Sequence, residues 1–236
     1  MIKHVFVFQP AVNFIEADRY YFRFHSKEVV RFLGPWLRRY ETYRALDAPP
    51  DADRFGVLCG RLTELWYNSV DEWKEALPLA RPYTPPPGGW ESFFGRGSAV
   101  TMVPAKPTDD FLRKEPTPEE RPILRWYQVF KYPDGVSAAE GDEWYLRRHA
   151  EEVKKQPGLL HFVSHRVVAD APFPTPWHRV SELWYEDFTA WREAIKATAD
   201  CTPPRWRGTF PFVDMVSTFA GYKPDVDFLK DNPAIP

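Results

Sequence analysis

The chain is short of three things, and each shortage removes a class of protein. It carries two cysteines in 236 residues, Cys59 and Cys201. They form no Cys-x-x-Cys motif, so neither a disulfide framework nor a thiolate zinc site can be built, and both read as small core side chains. No stretch of 18 or more apolar residues occurs, so no membrane-spanning helix is expected. The start, Met1 to Pro10, has too short an apolar run and no small-residue cleavage site for a signal peptide, and the expected location is cytoplasmic. An excess of charge of one sign is also missing: 31 basic against 33 acidic residues leave a net charge of −2, which argues against nucleic acid as a partner.

What the sequence has in abundance is proline and aromatic residues. There are 25 Pro, 10 Trp, 11 Tyr and 18 Phe, which combine many chain breaks with a large aromatic surface to bury. Aromatic walls suit a small hydrophobic or aromatic ligand.

Internal repetition decides the architecture. Asp18-Arg19-Tyr20-Tyr21-Phe22-Arg23-Phe24-His25-Ser26-Lys27-Glu28-Val29 returns 124 residues later as Asp142-Glu143-Trp144-Tyr145-Leu146-Arg147-Arg148-His149-Ala150-Glu151-Glu152-Val153. Glu64-Leu65-Trp66-Tyr67 returns 118 residues later as Glu182-Leu183-Trp184-Tyr185, and Thr84-Pro85-Pro86 as Thr202-Pro203-Pro204. An arm, Lys106-Pro107-x-x-Asp110-Phe111-Leu112-Arg113-x-x-Pro116, recurs as Lys223-Pro224-x-x-Asp227-Phe228-Leu229-Lys230-x-x-Pro233. The chain is a tandem duplication joined near Pro118, with repeats at 1–118 and 119–236 that each end in a proline arm. Phe111-Leu112 and Phe228-Leu229 are expected to anchor on the body of the protein or to support dimerisation.

Within each repeat the element signals run in one order. First strands are expected at 3–8 and 125–131, and first helices at 14–33 and 138–156 behind the caps Asn13-x-x-Glu16 and Ser137-x-x-Glu140. Second strands follow at 38–44 and 160–168, then a proline-rich connection and third strands at 61–67 and 179–185. Short helices begin at Ser69 and Asp187, and last strands lie at 99–103 and 212–218. Each half therefore reads β-α-β-β-α-β, a ferredoxin-like unit with both helices on one face of an antiparallel sheet. The bare sheet faces need covering, and the duplication supplies the cover. The expected fold is α+β, two ferredoxin-like repeats with their sheets packed face to face in a single-chain α/β barrel, either a monomer with an internal pseudo-dimer or a homodimer.

The helix motif Tyr-x-x-x-His-x-x-Glu-Val, the Glu-Leu-Trp-Tyr strand and the Trp-bearing second helix resemble the EthD-like branch of the dimeric α/β barrel superfamily. The resemblance covers roughly the first hundred residues of each half and leaves out the proline arms. It implies a small hydrophobic pocket between helices and sheet. Relatives span cofactor-free isomerases, polyketide cyclases, monooxygenases that act without a metal, haem-binding proteins and accessory proteins of oxidative degradation, so the chemistry must be argued from residues.

Tyr21 and His25 share the apolar stripe of the first helix with Val29, and Tyr145 and His149 repeat the arrangement. An imidazole there suits a general acid or base acting on an enolisable or phenolic substrate, with the tyrosine orienting it. The alternative is a core histidine bonded to backbone or tyrosine. The resemblance adds that some relatives use a catalytic histidine at this helix position. Glu64 and Glu182 share a sheet face with Trp66 and Trp184, either as a second acid or base beside the histidines or as buried ion pairs with Arg23 or Arg147. Aligned second strands set Arg39 against His161, Tyr40 against Phe162 and Tyr43 against His165. With four of six histidines in the second half, that half is the favoured active copy. Trp66, Trp184, His161, His165, Tyr43, Phe162, Trp90 and Trp206 are the candidate substrate-binding residues, the last two on the Thr-Pro-Pro loops.

No metal is expected. His161 and His165 lie about 13 Å apart at strand rise, and only a mixed site of His149, one strand histidine and Glu182 stays open. No cofactor is expected, with haem as the alternative. The leading expectation is a cofactor-independent lyase, isomerase or cyclase acting on a small aromatic or polyketide-like molecule. The alternatives are a non-catalytic binder of a hydrophobic ligand or haem, and an accessory protein of an oxidative pathway.

Overall fold

In the computed structural model, residues 1–80, 83–95, 97–114, 123–171 and 173–231 are described. The join near Pro118 and the arm residues Pro116 and Pro233 lie outside them. The first half runs β1 (Ile2–Phe8), α1 (Phe14–Tyr20), α2 (Ser26–Leu33), β2 (Arg39–Arg44), β3 (Arg61–Tyr67), α3 (Val70–Ala76), α4 (Gly89–Phe94) and β4 (Ala99–Pro104), then the arm strand β5 (Asp109–Arg113). The second runs β6 (Leu124–Lys131), α5 (Ala138–Trp144), α6 (Ala150–Val153), β7 (Leu159–Arg166), β8 (Arg179–Tyr185), α7 (Phe188–Ala199) and β9 (Asp214–Gly221), then the arm strand β10 (Val226–Asp227). The fold is α+β, two ferredoxin-like repeats whose antiparallel sheets pack face to face. No helix among the described residues is long and apolar enough to cross a membrane.

Local signals act where the spacing places them. The Asn13 side chain accepts from the Ile15 amide, and Ser137, Ser69 and Asp187 accept from Glu140, Glu72 and Ala190, so every expected cap is made. The long first helix of each half, however, is not uniform. Tyr21–His25 and Tyr145–His149 each form one π-helical turn, closed by Ser26 N–H to the Tyr21 carbonyl and by Ala150 N–H to the Tyr145 carbonyl. A widened turn at matched positions, each time holding the tyrosine and the histidine, is the backbone irregularity that functional sites favour. The last strand of the second half starts two residues later than expected, because Phe212 and Val213 turn inward and are buried before it.

The halves exchange their edges. The sheet orders are β10-β2-β3-β1-β4 and β5-β7-β8-β6-β9, so each arm adds a strand to the other half's sheet. Phe228 packs on Tyr21, Phe22 and Tyr40, and Phe111 on Tyr145 and Phe162, which anchors the arms on the body. The connections between second and third strands also cross over. Leu46 and Leu58 N–H groups bond to Phe219 and Ser217 along β9, and Val168 N–H bonds to the Met102 carbonyl along β4. The arms cover β2 and β7 and the connections cover β4 and β9, so the outermost strands of the sheets are the short arm strands β10 and β5 and the covered edges of β4 and β9. Gly56, at φ 59° and with the Met215 carbonyl 2.3 Å from where a Cβ would stand, lets the first of these connections lie flat on β9.

Between the sheets Val5, Val7, Leu62, Ala99, Val103, Tyr127, Val129, Val180 and Ala220 form an apolar layer. In its midst sit four buried charges. Lys3 Nζ donates to Glu64 Oε1 at 2.9 Å and to Glu182 Oε1 at 3.3 Å, and Arg125 Nη2 donates to Glu182 Oε2 at 2.8 Å. The Tyr127 hydroxyl donates to Glu64 at 3.3 Å. Two cations meet two carboxylates, so the cluster carries no formal net charge. Burial opposes ionisation of Glu182, but Arg125 and Lys3 outweigh it and hold its carboxyl well below the usual range. Burial likewise pulls the Lys3 pKa down, and the two carboxylates reverse that. The expected partners Arg23 and Arg147 are not used. Both are exposed, and Arg147 pairs with Glu143.

Two stability outcomes follow. Lys3→Met leaves two carboxylates with one cation in the sheet interface and should lose about 3–5 kcal/mol in a urea melt. Lys3→Met with Glu64→Gln should recover part of that loss. Phe55→Ala, which removes a fully buried ring contributed by the first connection to the second half, should lose about 3–5 kcal/mol by the same measurement.

Candidate functional site

Strand alternation assigns the faces. On β1, Lys3, Val5 and Val7 point to the opposite sheet, so His4, Phe6 and Phe8 point to the helices; on β3, Glu64 points inward to Lys3, so Thr63, Leu65 and Tyr67 point to the helices. Between that face and the helices the first half encloses a cavity of about 320 Å³. This is the size range of small-molecule sites. Its walls include His4, Tyr21, His25, Tyr40, Trp73, Tyr83, Trp90 and Phe93.

His25 stands in an aromatic surround. Tyr20, Tyr21, Tyr83, Trp90 and Phe93 lie with ring centroids 5.4–6.1 Å from its own. Its Nδ1 has no hydrogen-bond partner among the described residues. Burial lowers the imidazole pKa to about 4, with Glu28 pulling the other way, so the ring is neutral at pH 7 and keeps a free lone pair. Tyr21 is held in a chain: the Tyr40 hydroxyl donates to it at 3.0 Å, and it shares a hydrogen bond with Thr63 Oγ1 at 3.1 Å. Behind them Arg61 binds Asp18 at 2.7 Å.

The recurrent Glu of the helix motif and the recurrent Thr-Pro-Pro loop explain each other. Thr84 N–H donates to Glu28 Oε2 at 2.8 Å, and the Tyr20 hydroxyl donates to the Thr84 carbonyl. Thr202 N–H meets Glu152 Oε2 at 2.9 Å in the second half. The loop is thereby clamped to the helix, and in the first half it brings Tyr83 and Trp90 over His25.

The second half has the same frame but no room. Tyr145 bonds Ser181 at 2.7 Å, Ser181 bonds Ser164 at 2.9 Å, and Arg179 binds Asp142 at 3.0 Å. His149 is again neutral, its pKa lowered to about 4 by burial against a smaller opposing pull from Glu152. Yet the space around it is only about 30 Å³, enough for isolated water. Trp126 holds the register position that His4 holds in the first half, opposite Leu183 as His4 is opposite Leu65. Trp126 packs on Trp191, Phe55 enters from the other half, and Phe210 and Phe212 close the mouth. The larger cavity is in the first half, whereas the histidine count favoured the second; His161, His165 and His178 line neither space.

The other candidates divide by face. Trp90 lines the first cavity, Phe162 lines the small second space, and Trp206 packs at its rim on Trp144 and Tyr132. Glu64, Glu182, Trp66, Trp184, His161, His165 and Tyr43 belong to the sheet faces turned toward each other and line neither of the two spaces. Trp66 lies under the Lys3 and Arg39 cations, Trp184 against the His161 ring at 4.2 Å, and Tyr43 under Arg125 at 4.7 Å. His165 Nδ1 meets the Pro104 carbonyl at 2.9 Å. The proposed pairing of Glu64 with His25, or of Glu182 with His149, fails because the sheet stands between them. The mixed metal site of His149, a strand histidine and Glu182 fails for the same reason, and no other group of three metal-ligating side chains occurs among the described residues. His4 was missed as a cavity residue. Its mismatch with Trp126 at equivalent strand positions was the available signal.

The model of the Chalcone isomerase N-terminal domain matches residues 11–81, which include the π turn with Tyr21 and His25. No curated protein matches the sequence. Among solved structures, the chain is similar to a protein described as anthrone oxidase-like, at 9% identity over 93% of this chain and 90% of that one, with a TM-score of 0.51. An ethyl tert-butyl ether d (EthD) family protein from Bacillus halodurans C-125 aligns at 18% identity over 42% of this chain and 96% of its own, with a TM-score of 0.33. A mutant chlorite dismutase from Candidatus Nitrospira defluvii aligns at 10% identity over 93% and 91%, with a TM-score of 0.45. At such identities the likeness to the anthrone oxidase-like protein is one of fold, and that fold is the dimeric α/β barrel, carried here by one chain.

Proposed function

We propose that the first-half cavity binds a small planar phenolic molecule and that His25 acts there as the general base of a cofactor-independent isomerase or intramolecular lyase. One observation carries this reading: a neutral imidazole with an unpartnered Nδ1 stands in the wall of an aromatic cavity large enough for two rings. The match of the Chalcone isomerase N-terminal domain to residues 11–81 supports the reaction type, and the Tyr-x-x-x-His-x-x-Glu-Val and Glu-Leu-Trp-Tyr motifs support placing the chain in the EthD-like branch.

A ring-closing isomerisation balances without any further reactant. The phenolic proton passes to His25, and the phenol oxygen bonds to the far carbon of a conjugated double bond. The displaced electron pair forms an enolate, and the imidazolium returns the proton to the enolate carbon. Tyr21, fixed by Tyr40 and Thr63, orients the ring beside His25. His149 and Tyr145, in the filled half, serve packing.

The test is turnover of 2′-hydroxychalcones followed by loss of their long-wavelength absorbance. His25→Ala should lower kcat about 10²–10⁴-fold, the range for a lost general base, while His149→Ala leaves it near wild type. Undiminished turnover by His25→Ala would sink the proposal. The pH dependence supplies a second check. With the His25 pKa lowered to about 4, kcat/KM should stay flat from pH 8 to about 5 and fall only below that, whereas an unperturbed histidine would halve it near 6.5.

A further inference from the structure

His4 occupies the same cavity and has no place in the chemistry above. Its ring is buried, tilted against Phe6 at 4.3 Å and against Phe173 at 5.0 Å between centroids, the latter brought across by the second-half connection along β4. Trp73 Nε1–H donates to His4 Nδ1 at 3.1 Å. An indole N–H can only donate, so Nδ1 must carry the lone pair, and the proton of a neutral ring must sit on Nε2. Burial lowers the pKa to about 3, so the ring is neutral at pH 7. Nε2 is buried and has no partner among the described residues. A donor of fixed tautomer, on a ring that lines a ligand-sized cavity and without a partner among the described residues, is a group awaiting an acceptor. The second half makes the contrast: Trp126 replaces His4, and the space there is closed.

We propose that His4 Nε2–H receives a carbonyl oxygen of the ligand, with Trp73 fixing its tautomer, so that the cavity selects planar aromatic ketones over hydrocarbons of the same shape. The inference rests on the reading of this cavity as the binding site, and it adds the acceptor end of the molecule to the acidic end served by His25. His25 draws the proton and His4 meets the oxygen on which negative charge develops.

Binding of two probes, chalcone and trans-1,3-diphenylpropene, is read by quenching of intrinsic tryptophan fluorescence. Wild type should bind the ketone about tenfold or more tighter than the hydrocarbon, the worth of one buried hydrogen bond. His4→Phe should bring the two affinities together by weakening the ketone alone, His4→Gln should keep part of the preference, and Trp73→Phe should lower it while His4 is intact. His149→Ala, in the filled half, should keep the preference in full, and because the preference is read by binding and the general base by turnover, failure of the general-base reading leaves this one standing and the reverse also holds. An unchanged preference in His4→Phe, or no preference in wild type, overturns the proposal.

Discussion

The buried cluster of Lys3, Arg125, Glu64 and Glu182 is the constraint on which the rest of the structure depends. Ions this deeply buried are tolerated only when each finds its counter-charge, and here each half supplies one cation and one carboxylate from matched strand positions. The sheets must therefore meet with those residues facing each other. Because side chains alternate along a strand, this choice forces His4, Phe6 and Phe8 on β1, and Thr63, Leu65 and Tyr67 on β3, toward the helices. A charge pair on one face thus decides which residues line the cavity on the other. A slip of one residue would bury the cavity wall between the sheets and strand four charges against the helices.

The two copies have divided the cost of holding a cavity open. Walls that stand apart forfeit packing contacts, and the first half does so over about 320 Å³ against about 30 Å³ in the second. The second half instead fills its space with Trp126, Trp191, Phe55 and Phe212. Tyr185 donates to Gln156 there, and Thr198 to the Ala194 carbonyl. The exchange of arms and connections makes this filling useful to the hollow half, because Phe228 and Phe173 reach across from the packed copy to brace the cavity of the other.

Much of this was legible in the sequence, and the rest was not for physical reasons. The duplication, the element order and the four caps are local signals repeated twice, and Tyr21 and His25 fall on a stripe that can be read directly. Sheet sidedness was not read from the sequence, because β1 and β3 carry apolar and polar residues on both faces and a period of two carries no sign. The destination of the arms was hidden because their pairing is with the other half, some fifty residues away for β5 with β7 and more for β10 with β2. Histidine number favoured the second copy, whereas His161 and His165 lie in the sheet interface, and His178 Nδ1 accepts from the Tyr132 amide at 3.1 Å. Equal and opposite charges at positions 3, 64, 125 and 182 were the overlooked sign of which faces meet.

The electrostatic character of the cavity favours one kind of chemistry. Its walls hold no unpaired charge, and burial keeps His25 and His4 neutral, so a ligand arriving as an anion would lose its hydration without gaining a counter-ion. A neutral phenol with a conjugated carbonyl avoids that penalty. In the proposed reaction its proton moves to His25, so that imidazolium and phenolate would appear together, each stabilising the other in a medium that screens poorly. The lowered pKa of the empty site is then no obstacle, since it describes a lone imidazolium, and the reaction never makes one. The same dryness that keeps both histidines uncharged thus favours a reaction that begins and ends without charge.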